Sequence, residues 1–213
     1  MTILNLFKKV CLLLIFSLFG INGCVHINSA SVPLAPVRGD YLQELAKFRE
    51  AKDLYFQTDN SPLEEKQRAG FSGLCYYPPA ADFRVVGLLE KYKKPELRIA
   101  GSESGQKRMV ALGLFRFTLA GKDQVLEVWQ TEEGTELSIL FTDKTNGKET
   151  YGAGRYVSLE INDNKYILDF NYSYNPYCHY SHHFICPLPP SINNMDLQIE
   201  AGEKVYPVFE SIL

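Results

Sequence analysis

The chain has 213 residues, with 22 Lys and Arg against 25 Asp and Glu, a formal net charge of −3, and 46% hydrophobic residues. That length suits one domain, and the apolar content is enough for a packed core. A mildly acidic chain with no basic stripe is repelled by phosphate, which excludes nucleic acid as a partner.

At the N-terminus Lys8 and Lys9 precede an apolar run, Val10 to Ile21, followed by Asn22-Gly23-Cys24. The run is shorter than the roughly 20 residues needed to cross a bilayer, and its charged flank and small residue before the break match an export signal. Gly23-Cys24 resembles a bacterial lipobox. That resemblance implies diacylglyceryl transfer to the Cys24 thiol, cleavage after Gly23, and acylation of the new amino terminus, as by palmitate. Several acyl chains give stable anchoring, because each buried methylene contributes about 0.8 kcal/mol. Val25 is not the aspartate that resembles an inner-membrane retention signal, so a Gram-negative host would place the protein on the outer membrane, facing the periplasm. The expected organisation is a signal peptide over 1–23, a flexible tether over 24–39 rich in Ser, Ala, Pro and Val, and a single domain over 40–213.

Two helices should open the domain. Asp40-Tyr-Leu-Gln43 has the form of a capping box, and Tyr41, Leu45, Phe48, Ala51 and Tyr55 recur at spacings of three and four along one face. Ser61-Pro62-Leu63-Glu64 reads as a second start, with Ser61 as cap and Pro62 in the first turn, and Gly70 as its stop. After Pro79 the period changes to two. Strands are expected over 83–90, 97–100, 107–119, 124–130, 136–141, 154–161 and 165–171, with two shorter ones over 195–200 and 205–209. Turn clusters such as Ala120-Gly121-Lys122-Asp123 and Asn162-Asp163-Asn164 leave no room for helical crossovers. The predicted fold class is therefore mainly β, an antiparallel meander forming a barrel or half-barrel behind two N-terminal helices, with a sandwich as the alternative.

The unusual residues cluster late. Asp143-Lys-Thr145-Asn-Gly147-Lys-Glu149-Thr-Tyr151-Gly-Ala-Gly154-Arg155-Tyr156 is followed by Asp169-Phe-Asn171, Tyr174-Asn175-Pro176-Tyr-Cys178, Cys186-Pro-Leu-Pro-Pro190 and Ala201-Gly-Glu203-Lys204. In that order they resemble the prokaryotic family known as domain of unknown function 1684, from about Lys52 to Tyr206. The resemblance carries over Asp143, Thr145, Gly147, Thr150, Tyr151, Gly154, Arg155, Tyr156, Asp169, Asn171, Tyr174, Asn175 and Pro176, and it implies no activity.

Chemistry at these clusters divides into structural and functional readings. Asp143 to Gly147 is first a hairpin turn. Arg155 presents a planar fork suited to a carboxylate, either Asp169 or Glu149 within the protein or an anionic group on a ligand. The candidate ligand-binding set is Asp143, Glu149, Tyr151, Arg155, Asp169, Asn171 and Tyr174, with Asp169 and Asn171 expected to share one face of a strand. If these side chains meet in an open concavity, binding or catalysis follows; if they are buried and mutually satisfied, they hold the fold. Cys178-His179-Tyr-Ser-His182-His183-Phe-Ile-Cys186 has ligands for zinc, but their nesting in one short loop is not metal-site spacing. In an oxidising compartment a Cys178 to Cys186 disulfide is the expectation, with two free thiols as the alternative. The Cys186 to Pro190 run should be a stiff extended loop, capping the barrel end or walling a groove. No nucleophile elbow, phosphate loop, metalloprotease pair or dinucleotide fingerprint is present, so neither metal nor cofactor is expected. Whether the protein is an enzyme is left open. Three functions compete: an envelope module binding a small polar or anionic ligand, a hydrolase using Asp143, Arg155 and Asp169, and a non-catalytic envelope interaction protein.

Overall fold

The computed structural model describes residues 39–206 apart from 103–104, 132–133 and 163–164. The expected signal peptide, Cys24 and nearly all of the tether lie outside the described residues. Helix α1 spans Gly39–Phe56 and α2 spans Glu65–Ala69. Six strands follow: β1 Arg84–Ser102, β2 Gly105–Leu119, β3 Lys122–Thr131, β4 Ser138–Phe141, β5 Arg155–Asn162 and β6 Lys165–Asp169. They pair antiparallel in chain order, and β6 returns to β1 to close a barrel. The expected meander is thus a closed barrel rather than a half-barrel or sandwich.

Alternation builds the interior. Phe115 and Phe117 of β2, Leu126 and Val128 of β3, Ile139 and Phe141 of β4, Val157 and Leu159 of β5 and Leu168 of β6 form one buried cluster. Between β2 and β3, Ala120 and Gly121 have φ of 51° and 72°, the two positive values that a tight turn matched to sheet twist requires. Interior side chains repeat every second residue, so position on β5 decides direction: Arg155, Val157 and Leu159 face in, while Tyr156, Ser158 and Glu160 face out.

Four local expectations are corrected. The strands expected at 83–90 and 97–100 are one strand, bent where the register shifts between Lys91 and Glu96. Pro95 lacks the N–H needed there, so the ladder bulges without ending. Helix α2 begins at Glu65 with Glu64 as its cap, not at Ser61, because Leu63 is drawn into the cluster of Phe56, Leu74 and Tyr180, with Pro62 buried beside it. Glu64 and Gln67 close the capping box instead. Strand β6 stops at Asp169, whose carboxylate accepts the Asn171 amide at 3.0 Å and turns Phe170–Tyr172 into a short 3-10 helix. Finally, 195–200 is not a strand, because part of its backbone hydrogen-bonding capacity goes to a buried guanidinium.

Candidate functional site

That guanidinium is Arg155, which is fully buried at the inward-facing start of β5. Its Nη2 donates to Asp143 Oδ2 at 2.9 Å and to the Ile199 carbonyl at 2.8 Å. Its Nη1 donates to the carbonyls of Ala201 at 2.6 Å and Glu203 at 3.2 Å. The ring of Phe141 lies 5.2 Å from its central carbon. Asp143 Oδ1 in turn accepts from Thr145 N at 2.8 Å, Thr145 Oγ1 at 2.6 Å and Ile199 N at 3.2 Å. This pair plugs one end of the barrel and fixes the C-terminal segment. The carboxylate expected opposite Arg155, Asp169 or Glu149, is not its partner. The β5 to β6 register sets Leu159 against Leu168, so Asp169 aligns with outward-facing Ser158 and lies on the opposite side of the sheet from Arg155.

The other candidates separate further. Asp169 Oδ2 accepts from Tyr41 Oη at 2.7 Å and faces Arg84 Nε at 3.2 Å, tying α1 to the barrel seam. Asn171 bridges to Ala80, accepting from its amide and donating to its carbonyl, each at 2.9 Å. Glu149 pairs with Lys204 at 3.2 Å near the surface. The Tyr151 ring lies 4.6 Å from that of His179, and its hydroxyl reaches Cys178 Sγ at 3.9 Å. Burial lowers His179 to a pKa of about 4, and its neutral Nε2 accepts the Tyr206 amide at 3.0 Å. Cys178 and Cys186 are neighbours, the Cys178 amide donating to Cys186 Sγ at 3.2 Å, and the structure holds both as thiols. The hydrogen bond with Cys186, and then burial, push the Cys178 thiol well above its ordinary range, so it is no thiolate nucleophile.

A concavity does exist, on the outer face of β5 rather than at the barrel end. It encloses about 760 Å³ between α1, β5 and the segment from Tyr172 to Pro187. Phe48, Ala51, Lys52 and Tyr55 line it from α1, Tyr156, Ser158 and Glu160 from β5, and Glu136 and Asp169 from beside them. Tyr172, Tyr174, Pro176, Tyr177 and Phe184 to Pro187 form the far wall. Two candidates from the sequence, Asp169 and Tyr174, therefore reach the cleft; Asp143, Glu149, Tyr151, Arg155 and Asn171 are not among its lining. The proline-rich run serves both expected roles: Pro187 walls the cleft and accepts a hydrogen bond from Tyr156 Oη, while Pro189 packs on Gly154 at the barrel end.

The far wall and α1 are held by a residue to which the sequence alone assigns no role. Glu203 is buried and accepts from Asn175 N at 2.8 Å and Tyr180 Oη at 2.9 Å, while Lys52 of α1 donates to its other oxygen. Gly202 just before it has φ of 76°, and a Cβ there would lie 2.6 Å from the Ser173 carbonyl. Only glycine lets the chain turn Glu203 inward so close to that backbone. Burial raises the hydroxyls of Tyr156, Tyr172, Tyr174 and Tyr177, Tyr174 to about 12, so these four are neutral hydrogen-bonding groups. Glu160 is also raised, by burial and then by the charge of Asp169.

Residues 69–204 match the family described as "Protein of unknown function (DUF1684)". No curated protein matches the chain. The solution NMR structure of an uncharacterized protein from Haloarcula marismortui is similar, with 32% identity, a TM-score of 0.63, and coverage of 78% of this chain and 94% of its own. Those matched residues hold the Asp143–Arg155 plug, β5 and the far wall of the cleft, and the chain belongs to the DUF1684 family of proteins of unknown function.

Proposed function

We propose that the protein is a membrane-anchored envelope lipoprotein whose barrel binds a small polar ligand with an apolar body in the cleft between α1 and β5. The observation that carries the binding reading is the cleft itself. Its volume of about 760 Å³ lies in the range of small-molecule sites, and aromatic rings with a few polar groups are the usual lining of such sites. The hydrolase reading loses support because Asp143 and Arg155 are enclosed and engaged with each other and with backbone. A neutral, environment-sensitive dye such as N-phenyl-1-naphthylamine should give saturable fluorescence enhancement with the chain from residue 25 onward, which contains every element described above. Ala51→Trp, which fills the cleft from α1, should weaken that binding at least tenfold while the melting temperature stays within a few degrees. Equal dye binding by both proteins would place the dye elsewhere and remove the cleft as the site.

The anchoring reading rests on Lys8, Lys9, the apolar run and Gly23-Cys24. Intact-mass analysis of the exported protein should find a chain beginning at an acylated Cys24, and Cys24→Ala should abolish membrane partition. A soluble chain cleaved elsewhere would sink it. In that oxidising setting the adjacent Cys178 and Cys186 thiols are placed to join as a disulfide. Both should resist alkylation until reduced, and the bond should contribute on the order of 2 to 3 kcal/mol. Ready alkylation of both in protein isolated from the envelope would rule the bond out.

A further inference from the structure

The charges around the cleft do not balance, and the imbalance indicates what kind of ligand fits. Ser138 pairs with Ser158, and the Leu159 amide donates to the Leu137 carbonyl at 2.8 Å, so Glu136, just before β4, and Glu160 of β5 both reach the outer face that walls the cleft. Among the described residues no cation pairs with either. Glu136 accepts only the Ser158 hydroxyl, and Glu160 has no ion-pair partner. The cations nearby are already engaged. Lys52 is joined to buried Glu203, and Arg84 lies 3.2 Å from Asp169. Glu44 of α1 adds to the negative field at Glu160, where Arg84 is the one opposing charge.

The rings beside these carboxylates suit the same ligand. The Lys52 ammonium already sits over the Tyr174 ring at 4.8 Å, so an aromatic face of this cleft accepts a cation. Phe48 and Tyr172 meet edge to face at 4.9 Å, and Tyr177 and Phe184 at 5.2 Å. An apolar body between such walls leaves an attached positive group beside Glu136 and Glu160. An anion there would face two unneutralised carboxylates with no free cation to receive it. Of the polar and anionic ligands considered from sequence, charge complementarity disfavours the anion.

We infer that the cleft takes a cationic organic ligand, an amine or quaternary ammonium on an apolar body, with its positive centre between Glu136 and Glu160. This rests on the binding role proposed for the same cleft, and the test separates the two. Isothermal titration of the chain from residue 25 onward would compare three probes of one shape: (1-naphthylmethyl)trimethylammonium, 1-naphthalenemethanol and 1-naphthoate. The ammonium should bind at least tenfold more tightly than the alcohol, with naphthoate weakest, and added salt should shrink that preference. The double variant Glu136→Gln, Glu160→Gln should bring ammonium and alcohol within about threefold of each other while alcohol binding persists. Naphthoate binding as tightly as the ammonium, or a preference that survives the double variant, would overturn the charge assignment and leave the cleft as a binding site. Failure of all three probes, or binding unaffected by Ala51→Trp, would overturn both.

Discussion

Arg155→Met is expected to lower the stability of the fold by about 3 to 5 kcal/mol, the cost of removing one member of a buried ion pair and leaving the other charged. The variant leaves the Asp143 carboxylate with three donors but no counter-charge, and strips the carbonyls of Ile199, Ala201 and Glu203 of the groups that hold them. Arg155→Lys should be little better tolerated, because a single ammonium cannot span a carboxylate and three carbonyls served by two separate guanidinium nitrogens. Asp143→Asn should also destabilise strongly, leaving the guanidinium without its carboxylate. The double variant Arg155→Met, Asp143→Asn should lose much less than the sum of the two losses, since contacting partners are not additive. Equilibrium denaturation of the four proteins measures this. Additive losses, or a single-variant loss below about 1 kcal/mol, would contradict a structural plug and restore Arg155 as a candidate for ligand contact.

The second large effect is expected at Glu203. Glu203→Ala removes the acceptor shared by Lys52, Tyr180 and the Asn175 amide, two of which are deeply buried, and should cost about 3 kcal/mol or more. Its signature should be local as well as global. Lys52 is one of several polar ties from α1, with Tyr41 to Asp169, Arg49 to the Tyr77 carbonyl at 3.0 Å and Asp53, which accepts the Leu74 amide at 3.0 Å. Amide exchange in α1 should therefore accelerate beyond the global loss, while β2 and β3 keep their relative protection. Because α1 supplies one wall of the cleft, dye affinity should fall in the same variant. Uniform acceleration across the barrel would show that Glu203 does not specifically pin the helix.

Much of this architecture was legible in the chain because the signals were local. The Ala120-Gly121 turn, the alternation in β2, β3 and β5, and the absence of crossover-length loops predicted an antiparallel meander. Closure was less visible, since it depends on Arg84 meeting Asp169 far along the chain. The direction of Arg155 was available in principle: it shares its face with Val157 and Leu159, so a strand with its apolar side inward must bury it. Its charge left an internal pair and a ligand contact both open, and pairing it with Asp169 or Glu149 followed from closeness in sequence rather than from register. Asp169 and Asn171 misled for a different reason, because the carboxylate ends the strand instead of extending it. The cleft residues gave no comparable signal. Lys52 and Glu203 are 151 positions apart, and Glu136 and Glu160 look like ordinary surface acids until the folded chain brings both to the wall of the cleft.

Closure also dictates when the molecule can fold. Strand β1 must wait for β6, and the buried guanidinium must wait for carbonyls contributed by Ile199 through Glu203, close to the end of the described chain. Such long-range pairings slow folding, because loop entropy is lost before the contacts that offset it form. A ribosome-bound or partly translocated chain ending before residue 199 would lack its plug, and one ending before 165 would lack its sixth strand. On the export reading proposed above, this late commitment keeps the polypeptide unfolded while it is threaded across the membrane and lets it fold only once its C-terminal segment has arrived. A chain truncated after Asn194 should accordingly accumulate as a protease-sensitive species, with refolding of the intact protein slow and single-phased.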